Sequence, residues 1–62
     1  MSIAPTLTSL DRRVLAIVTH KPCRARYVAD KTRRPFTEIV LILRGLEHLG
    51  YIRQAGGWWR AA

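Results

Sequence analysis

Apolar residues recur along this chain first at helical spacing and then, beyond Gly50, in short stretches of strand character. Leu10, Val14, Ile17 and Val18 stand at i, i+4, i+7 and i+8, one face of a 3.6-residue period, while Arg12 and Arg13 point away. Thr8 and Asp11 have the spacing of a capping box, with Asp in place of the usual Glu, so the spacing predicts a helix over about 9–20. The short lead MSIAPTL precedes it and Lys21-Pro22 ends it. A second, shorter helix is expected over about 25–31, with Tyr27, Val28 and Ala29 as its apolar members, and KTRRP breaks it. Pro35 suits the first turn of a third helix, expected over about 35–49. Ile39, Ile42, Leu43 and Leu46 form its inward face, and Gly50 is placed to cap it in the left-handed conformation.

The last stretch reads as a β-hairpin over 51–61. YIRQ and WWRA have strand character, and Gly56-Gly57 between them permits the positive dihedrals of a tight turn. A two-residue turn pairs Ala55 with Trp58, Gln54 with Trp59 and Arg53 with Arg60. Trp59 then faces inward with Ile52, and Trp58, Arg53 and Arg60 form an outward basic and aromatic strip. A three-residue turn exchanges the two tryptophans, so the hydrophobic pattern alone leaves open which one faces the core. The fold class expected is mostly α with a small β-hairpin: three helices followed by a C-terminal wing, in one domain spanning 1–62.

This order of elements resembles the winged helix-turn-helix family. RYVADKTRRPFTEIVLILRGLEHLGYI is similar to its helix 2, turn, helix 3 and first wing strand, and LRGLEHLGYI to its leucine, leucine, glycine and two apolar residues leading into the wing. The resemblance covers residues 7 to 61 and speaks more for the fold than for the function. It implies that helix 3 enters the major groove of DNA, that the wing lies along the backbone or minor groove, and that Cys23-Arg24-Ala25 supplies a short strand joining the wing sheet. AGGWWRAA also looks like the wing end of Z-alpha domains. Val40 and Arg44 stand where those domains carry asparagine and tyrosine, and with Trp59 the only match their specificity is not carried over.

Charge agrees with a polyanionic partner. The 62 residues carry eleven Lys and Arg against four acids, a net charge of +7, and all but Lys21 and Lys31 of the eleven are arginine, the side chain suited to forked contacts with phosphate and base edges. Lys21, Arg24, Arg26, Lys31, Arg33 and Arg34 fall within fourteen residues opposed by Asp30 alone. Lys31, Arg33 and Arg34 precede the N-terminus of helix 3, where the helix end adds its own partial positive charge, so phosphate is expected there. On helix 3, Thr37 and Arg44 are candidates for base contacts and Val40 for a thymine methyl. Val40, Leu41 and Leu49 serve equally as an apolar surface for another protein chain. Arg53, Trp58 and Arg60 complete the candidate DNA-binding set.

Other chemistry finds little support. One cysteine, Cys23, makes no internal disulfide, and a reducing cytoplasm is the expected location. No export signal, membrane span, phosphate-binding glycine loop or nucleophile constellation is recognisable. His20, Cys23 and His48 do not make a zinc site, and Asp11, Asp30, Glu38 and Glu47 suit local ion pairs, such as Asp30 with Arg26 and Arg34. No enzyme activity, cofactor, metal or small-molecule ligand is expected. A domain this small buries only about 60% of its unfolded surface, which makes a homodimer or a larger protein partner a standing alternative to a monomer. The expected function is a small basic sequence-specific protein on double-stranded DNA, a transcriptional regulator. The alternatives are a protein-interaction module docking through helix 3 and the wing, or an architectural protein in recombination or replication.

Overall fold

Residues 7–62 are described by a computed structural model; the lead at 1–6, with Pro5, lies outside the described residues. Helix α1 spans Ser9–His20 and opens on the expected reciprocal cap: the Asp11 N–H donates to Thr8 Oγ1 at 3.1 Å, and the Thr8 N–H to Asp11 Oδ2 at 3.0 Å. These bonds satisfy two donors that a helix start leaves unpaired. After Lys21 and Pro22, Cys23 makes an antiparallel bridge to Trp59, each donating its N–H to the other's carbonyl at 2.9 and 2.7 Å. The short third strand implied by the resemblance is thus a single bridge.

Helix α2, Ala25–Thr32, runs one residue beyond the expected end. The buried Thr32 hydroxyl donates back to the Val28 carbonyl at 2.8 Å, which lets a polar residue complete the last turn inside the core. Arg33 then adopts the left-handed conformation (φ 57°, ψ 40°), and the Arg34 N–H reaches back to the Ala29 carbonyl at 3.2 Å. Helix α3 spans Phe36–His48. Pro35 is its extended N-cap rather than part of its first turn. At the other end the Gly50 N–H donates to Glu47 O and the Tyr51 N–H to Leu46 O, both at 3.0 Å, with Gly50 at φ 87°; the expected left-handed cap is a Schellman motif.

Strands β1 (Ile52–Ala55) and β2 (Trp58–Ala61) pair antiparallel in the two-residue register, with Gly56 and Gly57 both at positive φ as a type I′ turn demands. Ile52 and Trp59 therefore share the inner face, and Trp59 is only 5% exposed while Trp58 is 45% exposed. One core joins every element: Val14 and Val18 of α1, Val28 and Ala29 of α2, Ile39, Leu43 and Leu46 of α3, Ile52, Trp59 and Cys23. Ile42, expected inward, is only partly buried and packs at the core's edge. The described residues form three helices followed by a two-stranded wing, and none of these helices is long and apolar enough to cross a membrane.

Candidate nucleic-acid interface

Helix α3 leaves one edge turned toward the wing. Phe36, Val40 and Arg44, at i, i+4 and i+8, line a groove whose other walls are Arg24 and Arg26 at the start of α2 and Gln54, Gly57 and the edge of Trp59 on the wing. Three arginines and no acid line it. Arg26 is drawn there by Phe36, its guanidinium carbon 6.0 Å from the ring centroid.

The wing's outer face is basic as well. Arg53 and Arg60 pair across the strands, and Ala55 pairs with Trp58 on the same face. The Cys23 bridge holds the chain beside β2, so the next residue, Arg24, lies over Trp58 with its guanidinium carbon 4.8 Å from the ring centroid. Trp58 thus carries a cation on its ring in the free protein.

The sequence-predicted residues do not all converge. Val40 and Arg44 meet in the groove; Arg53, Trp58 and Arg60 share the outer wing face; Thr37 is exposed on α3. Lys31 lies elsewhere, its ammonium 5.6 Å from the Tyr27 ring on the side that α2 shares with α1, where Lys21 also reaches the ring at 5.2 Å. Arg33 is exposed in the α2–α3 turn. Arg34 gives both Nε and Nη2 to Glu38 Oε1, at 3.0 and 2.7 Å, in the first turn of α3. This corrects the expected pairs with Asp30. The left-handed Arg33 turns the chain after α2, so Arg34 is no longer one helical turn from Asp30, and Arg26 lies over Phe36 instead. Among the described residues, Asp30 has no ion pair.

Val40 and Leu41, read together from the sequence as one apolar patch, separate in space. Val40 faces the wing, whereas Leu41, 72% exposed, belongs with Leu49 to an apolar groove between α1 and α3 that Leu7, Leu10, Ile42 and Gly45 also line, with Asp11 and Glu38 at its edge. Arg24, Arg26, Phe36 and Gln54 are the groove residues that sequence reasoning left out of the site. A signal for Arg24 was present: if Cys23 joins the sheet facing inward, Arg24 must face outward with Trp58.

The Cys23 thiol is pushed above its ordinary pKa by burial, with Lys21 partly opposing the shift. Among the described residues no three His, Cys, Asp or Glu side chains gather where they could hold a metal ion. Comparison with known proteins finds no family, no curated protein and no solved structure that matches the chain.

Proposed function

We propose that this chain is a small DNA-binding protein of winged helix-turn-helix type, a transcriptional regulator that works without a cofactor in the cytoplasm. The observation that carries the reading is the acid-free groove between α3 and the wing, where Arg24, Arg26 and Arg44 converge on one concave surface. In this reading α3 enters the major groove, with Arg44 and Thr37 on base edges and Val40 against a thymine methyl. Arg53, Arg60 and Trp58 follow the backbone from the wing, and Arg24 and Arg26 hold phosphates between the two. Arg33 and Arg34 extend the basic surface at the α2–α3 turn, and Lys31 adds its charge from the side that α2 shares with α1. Arg34 can exchange Glu38 for a phosphate at little cost, because an exposed ion pair is worth only about 0–1 kcal/mol.

A gel-shift titration on unrelated duplexes at two salt concentrations tests the proposal, with sedimentation of the free protein giving its oligomeric state. The expected result is binding whose logarithm falls linearly with the logarithm of salt, by about 0.9 per phosphate contact. Arg44→Ala should then reduce discrimination between sites by about 1–3 kcal/mol. Absence of binding at low salt would overturn the reading. Comparable affinity for all duplexes would favour an architectural role over a regulator.

The α1–α3 groove supports a second reading, a module that docks another protein. Its Leu41 and Leu49 are 72% and 43% exposed and line the same apolar groove. Under that reading Leu41→Asp abolishes partner binding and leaves any duplex binding intact.

A further inference from the structure

Three of the five aromatic side chains lie under cations. Phe36 has Arg26 at 6.0 Å, Trp58 has Arg24 at 4.8 Å, and Tyr27 has Lys21 at 5.2 Å and Lys31 at 5.6 Å. These pairs lie on one continuous path. The groove between α3 and the wing shares Arg24 and Arg26 with a second hollow bounded by Trp58, Pro22 and Tyr27; Lys21 and Tyr27 then lead onto the face between α1 and α2 that holds Lys31. Asp30 is the one acid along the whole path.

We infer that this path is a track for unpaired nucleotides, so that the protein binds a duplex carrying a single-stranded extension more tightly than a blunt duplex. The inference rests on the duplex-binding reading above for the groove, and adds a separate ligand for the stretch from Trp58 to Tyr27. Positive charge along a groove with aromatic faces at intervals is the chemistry that holds single strands, because the backbone follows the cations while bases stack on rings or on guanidinium planes. A base on Arg24 would continue the stack that Arg24 already makes on Trp58. A duplex does not suit this path. It stays nearly straight over a site this small, with a persistence length of about 150 base pairs, whereas the path passes round the start of α2 to the side shared with α1. A single strand bends freely there.

Fluorescence-anisotropy titrations test the inference with three probes at one salt concentration: a blunt duplex, the same duplex with a short oligo-dT overhang, and the oligo-dT strand alone. The expected result is about tenfold tighter binding of the overhang duplex than of the blunt one. Tyr27→Leu, which keeps apolar bulk and removes the ring, and Lys21→Gln, a surface change, should each shrink that gain at least threefold and leave blunt-duplex affinity unchanged; circular dichroism confirms that both variants fold. Equal affinity for blunt and overhang duplexes overturns the track and leaves the duplex reading standing. A gain indifferent to both substitutions also overturns it, since the overhang would then lie elsewhere. Tyr27-dependent binding of the oligo-dT strand without duplex binding supports the track and removes the duplex reading. No binding of any probe overturns both.

Discussion

Arg53 of β1 stands directly opposite Arg60 of β2 on the face of the hairpin turned away from the core. Like charges in this position oppose strand pairing, by about 0.2–1 kcal/mol, and no acid from the chain is bonded to either among the described residues. A phosphate backbone would turn this local cost into binding. Arg60→Thr, which removes the repulsion and adds a β-branched residue, should therefore raise the melting temperature by a few degrees. The same change should weaken duplex binding and flatten its salt slope by about one unit. Lower stability with unchanged affinity would show that Arg60 serves the hairpin and not the interface.

Arg33 is the one non-glycine residue at positive φ among those described, and a side chain in the left-handed region costs about 1 kcal/mol or more. Arg33→Gly should stabilise the fold by about 1 kcal/mol, whereas Arg33→Ala keeps the strain. Both lose the guanidinium, so both should bind unrelated duplexes more weakly and to the same degree. Chemical denaturation and gel shifts on the pair separate backbone from charge. If the glycine variant bound as well as the parent, Arg33 would have no place in the interface.

The two tryptophans give opposite signals. With Trp59 alone, in Trp58→Phe, emission should be blue-shifted and little altered by added duplex; with Trp58 alone, in Trp59→Phe, it should be red-shifted and respond strongly to DNA. Trp59→Ala should cost about 3–5 kcal/mol, enough to unfold a domain of this size, while Trp58→Ala should remain folded. A DNA response from Trp59 and none from Trp58 would exclude the outer wing face from contact.

What the sequence made legible was local. The spacing of Thr8 to Asp11, the placement of Gly50 after an apolar helical face, and the pair Gly56-Gly57 each specify backbone geometry within a few residues, and each is found as read. The hairpin register was legible only in part: the glycine pair marks the turn but admits a two- or a three-residue loop, and it is the positive φ of both glycines with the observed pairing that buries Trp59. What escaped depends on direction in space. Nothing in the order of residues says that Lys31 would turn to Tyr27, or that Val40 and Leu41 would face different grooves. The left-handed conformation of Arg33 escaped for another reason: no glycine or asparagine marks it, and it redirects Arg34 from Asp30 to Glu38.

Cys23 predicts a pH dependence. Burial holds the native thiol protonated above its ordinary value of 9.0, with Lys21 partly offsetting the shift, so the native state keeps a proton that the unfolded chain loses. The contribution is therefore fully present below pH 9 and declines as the pH rises through the interval between the two values. Urea denaturation of the parent and of Cys23→Ala from pH 7 to pH 10 isolates it, because every other titrating group is common to both. The parent's advantage should be constant to about pH 8.5 and then shrink. A difference independent of pH would show that the thiol is not held protonated by its surroundings.

Gly45 lies in the middle of α3, and a Cβ built on it meets nothing within 4 Å. No packing among the described residues requires a glycine there, yet a glycine inside a helix costs about 0.5–1 kcal/mol relative to alanine. Gly45→Ala should accordingly raise stability by that amount, seen as an upward shift of a few degrees in the melting temperature. The residue lines the apolar groove with Leu41 and Leu49, so the same methyl would obstruct a partner that approaches the α3 backbone closely. It is absent from the lining of the α3–wing groove, and duplex affinity should be unchanged. The variant therefore divides the two readings of the molecule: a more stable protein with full DNA binding leaves the α3–wing groove as the functional surface. Intact duplex binding combined with loss of self-association in sedimentation, or loss of a bound partner, would assign the α1–α3 groove a protein contact of its own.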